Sequence, residues 1–324
     1  MTGRLAAVDI GTNTTLLAVA EPVGGTLVPV FERAAITRLG RDLSRTGVIG
    51  AQGLAETRAA LASYVDDCRR LGATAIRAVG TAAMRNARNR DEVSNAFREV
   101  GVEVDIITGD KEAALTFLSA VRDFGTDGRP LAVIDVGGGS TEVILGDRTG
   151  ISWRRSFPAG VVRLKERLMP SDPPTSGERD AARREAKRTL DGMPRGAERL
   201  VVAVAGTPTT LAAIKNGVNV AAYSREAVHG TVLTIADLDR LDAMIAPMRV
   251  ADRLGIKGLE SKRADVIDAG IVILSEAMRR LDADSLTVSD GGVRWGLLWK
   301  MLSESGQSTG DWQVAATLTG TGSS

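Results

Sequence analysis

Leu131-Ala132-Val133-Ile134-Asp135-Val136-Gly137-Gly138-Gly139-Ser140-Thr141-Glu142-Val143-Ile144 decides the reading of this chain. An apolar run meets an aspartate, three glycines follow, and two hydroxyl residues precede a second apolar run. Short apolar runs bounded by glycine read as buried strands joined by a tight turn. Glycines let backbone N–H groups approach a ligand with no Cβ in the way. Successive N–H groups in such a turn make an anion-binding concavity. Ser140 and Thr141 add hydroxyl donors, and Asp135 at the strand end suits a metal cation beside the anion. A phosphate with Mg²⁺ is the simplest ligand that satisfies the whole stretch.

The same design stands earlier, in Leu5-Ala6-Ala7-Val8-Asp9-Ile10-Gly11-Thr12-Asn13-Thr14. A second apolar run, Leu16 to Ala20, follows it. One copy alone reads as an ordinary glycine hairpin; two copies with matching aspartate and hydroxyl positions read as two similar domains, each offering a phosphate loop. Gly11, Thr12, Asn13 and Thr14 belong to the first loop, and Gly137, Gly138, Gly139, Ser140 and Thr141 to the second. A buried strand ending at Gly206-Thr207 before a helix adds a third anion site, and Asp290-Gly291-Gly292 a fourth glycine turn. Ligands of open α/β sheets bind outside the carboxyl ends of strands. Several anion sites around one cleft suit a chain of phosphates.

Bulk properties narrow the classes. The 324 residues suggest two domains. The composition, 44% hydrophobic and 25% charged, is that of a soluble globular protein. A net charge of +1 and 3% aromatics argue against nucleic acid as partner, and no apolar run approaches a membrane span. Cys68 is the only cysteine and His229 the only histidine, which excludes an intrachain disulfide, cysteine clusters and multi-histidine metal centres. No signal segment opens the chain, so a cytoplasmic location is expected.

Strands and helices alternate along the rest. A hairpin is expected over 5–10 and 15–21, with strands at 28–32, 75–80 and 102–107. Helices are expected over 51–71, over 92–100 with Asp91 as cap, and from the 108–114 turn to about residue 121. The polar connection 123–130 is the expected boundary, giving domains 1–125 and 126–302. In the second domain, strands are expected at 151–157, 200–205 and 285–289. Helices are expected over 161–169, 177–191, 236–246 and 263–281, from about Thr210, and up to Leu302. Residues 303–324, rich in Gly, Ser and Thr, read as a disordered tail.

The order of motifs resembles the exopolyphosphatase/guanosine-pentaphosphate phosphohydrolase (Ppx/GppA) family, within the actin–sugar kinase–Hsp70 superfamily. The matching pieces are the two loops, Arg38-Leu39-Gly40, the run Thr81 to Asn89, Gly109-Asp110-Lys111-Glu112-Ala113, Ser171-Asp172-Pro173-Pro174, Val228-His229-Gly230, Arg263-Ala264-Asp265-Val266-Ile267 and Asp290-Gly291-Gly292. The resemblance implies an α/β fold of two ribonuclease-H-like (actin-like ATPase) domains facing across a cleft, with the last helix returning to the first domain. It implies release of terminal phosphate from inorganic polyphosphate, or of the γ-phosphate of pppGpp, with Mg²⁺ or Mn²⁺. In it Glu112 is the general base and Glu142 helps to place the water or the metal. Asp135 and Asp9 are the metal carboxylates, and Arg85 and Arg263 contact phosphates. A homodimer is a family-level expectation.

This chain departs from the family pattern at three points. Lys111 and Ala114 replace an acid and an arginine beside Glu112, Leu16 stands where an arginine is common, and Trp295 where a glutamate is common. The extra C-terminal helical domains of long members are not expected here, so short to medium polyphosphates are the expected substrate. The readings to separate are an exopolyphosphatase, a pppGpp phosphohydrolase, a polyphosphate or alarmone sensor with little turnover, and a sugar or acetate kinase. The basic run Arg154, Arg155, Arg163, Lys165 and Arg167 is a candidate polyphosphate track or a solvated face.

Overall fold

The computed structural model describes residues 3–196 and 198–305. The first sheet opens as an antiparallel meander, β1 (Arg4–Ile10), β2 (Thr14–Val23) and β3 (Thr26–Ile36). β4 (Ala73–Gly80) and β5 (Val104–Ile106) continue it in parallel, giving the order β3-β2-β1-β4-β5. The second sheet repeats this plan. β6 (Leu131–Val136), β7 (Thr141–Asp147) and β8 (Gly150–Phe157) form its meander, and β9 (Leu200–Val204) lies parallel to β6. An edge strand not expected from the sequence, β10 (Val232–Thr234), and β11 (Ser285–Val288) complete the order β8-β7-β6-β9-β11-β10. The fold is thus two ribonuclease-H-like α/β halves.

The central strands β1, β6 and β9 are apolar without alternation because both faces of each sheet are covered there. On β1, Ala6, Val8 and Ile10 enter one core with Tyr64 and Phe97, whereas Leu5 and Ala7 enter another. On the second sheet, Ile134 and Val136 face a core built with Leu211, Ile271 and Leu274. Leu131 and Val133 face the opposite way.

Two helices tie the halves together. The Gly109–Phe124 helix follows the first sheet but packs Ala113, Phe117, Ala120 and Val121 on the second, against Leu131, Val133, Ile144 and Val202. The Gly292–Glu304 helix follows the second sheet but packs Trp295, Leu298 and Leu302 on the first, with Leu5, Ala7 and Ala18. The two cross in close contact. A Cβ at Gly296 would lie 1.9 Å from the Leu115 carbonyl oxygen, so only glycine fits there.

Several boundaries differ from expectation. β3 spans Thr26–Ile36 rather than 28–32, and β5 shrinks to Val104–Ile106. The Arg90–Arg98 helix has Asn89 at its N-cap, not Asp91, because the Asn89 amide holds both backbone groups of Ile49. The Gly206–Lys215 helix begins at the glycine itself. The helix expected from 263 starts at Ile267, because the Ala264 carbonyl accepts from Arg253 at 2.8 Å. The last helix runs on to Glu304, and the rest of the tail, from 306, lies outside the described residues.

Candidate active site

Both glycine loops close with the same bond. Gly11 N–H donates to the Thr14 carbonyl at 3.0 Å, and Gly137 N–H to the Ser140 carbonyl at 2.9 Å. A backing segment pins each loop. Thr37 and Arg38 donate to the Asn13 carbonyl and Gly40 to that of Thr12. Val161 and Val162 donate to the carbonyls of Gly137 and Gly138. With the carbonyls engaged behind them, the turns have N–H groups left to offer an anion. The backing segments need glycine. A Cβ on Gly40 would sit 2.3 Å from the Thr12 methyl, and one on Gly160 would sit 2.3 Å from the Gly138 carbonyl oxygen.

The loops face each other across a cleft of about 770 Å³. Gly11, Thr12, Asn13, Thr14, Gly137, Gly138, Gly139 and Ser140 line it, with Gly206, Thr207 and Arg263. Asp9, Glu112, Asp135 and Glu142 bring four carboxyls to the same cleft. In the sheet register Asp135 stands opposite Glu142, and Asp9 stands opposite Leu16, so the duplicated loops are not equivalent.

Each of these carboxyls keeps some surface open to the cleft, but protein surrounds it otherwise. Burial pushes the Asp9 carboxyl up to about 7, against an opposing pull from Arg294. Burial, then Glu142 and Asp9, push Glu112 up to about 7, against Arg85. Asp135 lies well above the usual carboxylate range, through burial and then Glu142, Glu112 and Asp9. Asp9 Oδ1 is buried with no hydrogen-bond partner. Mutually repelling carboxylates with an orphaned buried oxygen are a donor set for a hard divalent cation. Among the described residues no three acidic, histidine or cysteine side chains converge as a ready-made metal cage.

Some expected contacts are placed differently. The Arg85 guanidinium, expected as a phosphate contact, is turned to Glu112 Oε2 (3.0 Å) and the Ile107 carbonyl (2.8 Å) and is not among the cleft-lining residues. Thr141 is fully buried and donates its hydroxyl to the Ala159 carbonyl, because strand alternation turns it away from Glu142. Ser140 gives its hydroxyl to Glu142 Oε1 at 2.7 Å. Of the basic run, Arg154 pairs with Asp110, Arg155 lies over the Phe157 ring and Lys165 reaches buried Asp268, which splits the candidate track.

The cleft also holds groups that the sequence reading passed over. Arg294, Asp290 and Glu32 form a nearly buried ion cluster beside Asp9, with the Trp295 indole N–H donating to Glu32. Arg225 lies 4.7 Å over the Trp295 ring and pairs with Asp123 at 2.8 Å. His229 stacks on Phe124 and accepts the Asp290 N–H at 3.2 Å, a structural placement. The Asp290 glycine turn marked this region, but the partners come from segments far apart in sequence.

A model of the Ppx/GppA phosphatase family matches residues 18–305. The chain belongs to the Ppx/GppA phosphatase family. Exopolyphosphatase 2 of Mycobacterium tuberculosis is 35% identical over 313 residues, covering 91% of this chain and 97% of that one. The guanosine-5′-triphosphate,3′-diphosphate pyrophosphatase of Photobacterium profundum is 26% identical, covering 92% of this chain and 59% of the relative. The crystal structure of the Aquifex aeolicus family member superimposes with a TM-score of 0.80 at 31% identity, covering 94% and 99% of the two chains. This Ppx/GppA member is therefore a phosphohydrolase with the two-domain actin-like fold. No helix among the described residues is long and apolar enough to cross a membrane.

Proposed function

We propose that the chain is an exopolyphosphatase that releases terminal orthophosphate from inorganic polyphosphate of short to medium length. One observation carries the reading: Glu112 opens a helix at the edge of a cleft walled by two anion-binding loops, with one carboxylate oxygen held by Arg85. Glu112 takes a proton from a water, whose oxygen attacks the terminal phosphorus. The bridging P–O bond breaks, and the shortened chain leaves with its electron pair. A carboxyl near 7 is matched to this task at neutral pH. The loop N–H groups and Arg263 hold the chain, and positioning with charge neutralisation is most of phosphoryl-transfer catalysis. Asp9 and Asp135 would hold Mg²⁺ or Mn²⁺, which when bound would neutralise phosphate charge, and Glu142 would help to place the water or the metal.

Phosphate release by the purified protein with MgCl₂, on tripolyphosphate, long polyphosphate and pppGpp, tests the proposal. Glu112→Gln should lower kcat by about 10²–10⁴-fold, the usual weight of a general base. Full activity in that variant would sink the mechanism. A pppGpp phosphohydrolase is the second reading, favoured by Val220 and Tyr223, which line the cleft half-exposed and offer an apolar seat for a base. Faster release from pppGpp than from polyphosphate would select it. Tight binding of either compound without release would select a sensor.

A further inference from the structure

Glu142 is held in an asymmetric way. Two hydroxyls converge on the same carboxylate oxygen: Ser140 Oγ lies 2.7 Å and Ser156 Oγ 2.6 Å from Glu142 Oε1. In both bonds the hydroxyl donates to the carboxylate oxygen. Ser140 belongs to the phosphate loop, and Ser156 comes from β8, where it stands directly opposite Glu142 in the antiparallel ladder. Directly opposed residues in such a pair share one face of the sheet. Asp135, Glu142 and Ser156 therefore form one row across β6, β7 and β8. Asp135 and Glu142 line the cleft, and Ser156, solvent-exposed on β8, lies outside the lining.

We infer that Ser156 is a positioning residue of the phosphohydrolase site: with Ser140 it saturates Glu142 Oε1, so that Oε2 alone is presented to the cleft. This rests on the reading of Glu142 as a working member of that site. Without the second hydroxyl the carboxylate is free to turn about its last side-chain bonds and present either oxygen. A charge-assisted hydrogen bond that fixes an acceptor in this way adds geometric precision as well as energy. Ser156 is not among the residues that line the cleft, so its loss should leave binding alone and act on turnover.

The test uses the full chain with tripolyphosphate and MgCl₂, measured at steady state. Ser156→Ala should lower kcat about tenfold, the equivalent of one hydrogen bond to a charged acceptor, with KM within about twofold of wild type. Ser156→Thr keeps the hydroxyl on a β-compatible side chain and should restore kcat to within about twofold. Glu142→Gln, run alongside, should lose far more activity than Ser156→Ala. Wild-type kcat in Ser156→Ala, with Glu142→Gln inactive, would overturn the positioning role and leave the site reading intact. Equal losses in the Ala and Thr variants would also overturn it, because the hydroxyl would then not be the cause. Full activity in Glu142→Gln would instead remove the reading on which the inference rests.

Discussion

Gly206 shows how one missing methyl shapes the cleft. A Cβ there would lie 1.7 Å from Arg263 Nη1, and the Arg263 guanidinium is also within 3.5 Å of the Thr14 hydroxyl on the opposite loop. The neighbouring Ala205 sits at φ 76°, a left-handed conformation that an L side chain rarely takes, at the edge of the candidate site. Gly206→Ala would push a flexible side-chain tip, not backbone. The fold should survive, and KM for tripolyphosphate should rise about tenfold as one charge-assisted contact is lost. Steady-state kinetics beside a melting curve would separate the two effects. The carboxyls make a second prediction. Asp9 and Glu112 are raised to about 7 from ordinary values of 3.8 and 4.5, first of all by burial. Ionising them is therefore harder in the fold than in the unfolded chain. The penalty is absent below the unfolded values and complete above the folded ones, so stability falls as pH rises through that window. The Tm of metal-free protein should drop between about pH 5 and about pH 8, and Mg²⁺ should cancel the drop by binding the ionised forms. A rise in metal-free Tm over that range would contradict the carboxyl packing.

At the level of elements, the pair Arg253–Asp268 pins the start of the Ile267–Arg280 helix. Both side chains are fully buried at 2.9 Å, Arg253 also donates to the Met248 and Ala264 carbonyls, and Lys165 approaches Asp268 at 3.5 Å. Removing one partner strands a buried charge, so Asp268→Ala should cost about 3–5 kcal/mol in urea unfolding. Losing the exposed pair Arg58–Glu99 should cost at most about 1 kcal/mol. This pair also marks where the sequence stops being legible. The strands and both glycine loops could be read because apolar runs end abruptly at Asp-Gly, a local signal. The helix start could not, since the bond that ends the preceding turn comes from Arg253. Arg85 could be named as important but not aimed, because its partner Glu112 lies on another element. Ser156 carried no signal at all: a serine on a strand becomes informative only when the register sets it opposite Glu142.

Across the whole molecule, the halves also meet through a small clasp next in sequence to cleft-lining Arg263. Arg38 Nη2 donates to the Lys262 carbonyl at 2.9 Å and reaches Asp265 at 3.3 Å, while Lys262 Nζ donates to the Ile36 carbonyl at 2.9 Å. The charged pair is partly exposed, and such pairs contribute about 0–1 kcal/mol. If the halves open for substrate entry, this charged pair would resist the motion only weakly. Arg38→Ala should widen the resting cleft, seen as a larger radius of gyration in solution scattering, and raise KM more than it lowers kcat. An unchanged radius and KM would show that the clasp carries no closure. The crossed helices have a different consequence, for synthesis. Each half borrows the closing helix of the other, as in a swapped dimer written into one polypeptide. The first sheet therefore cannot finish its core when its own residues have left the ribosome. Leu5, Ala7, Ala18 and Leu27 wait for Trp295, Leu298 and Leu302, on the order of ten seconds at translation rates of about 5–20 residues per second. During that wait the nascent first half is an apolar sheet face without its cover, the state in which the chain is most exposed to aggregation.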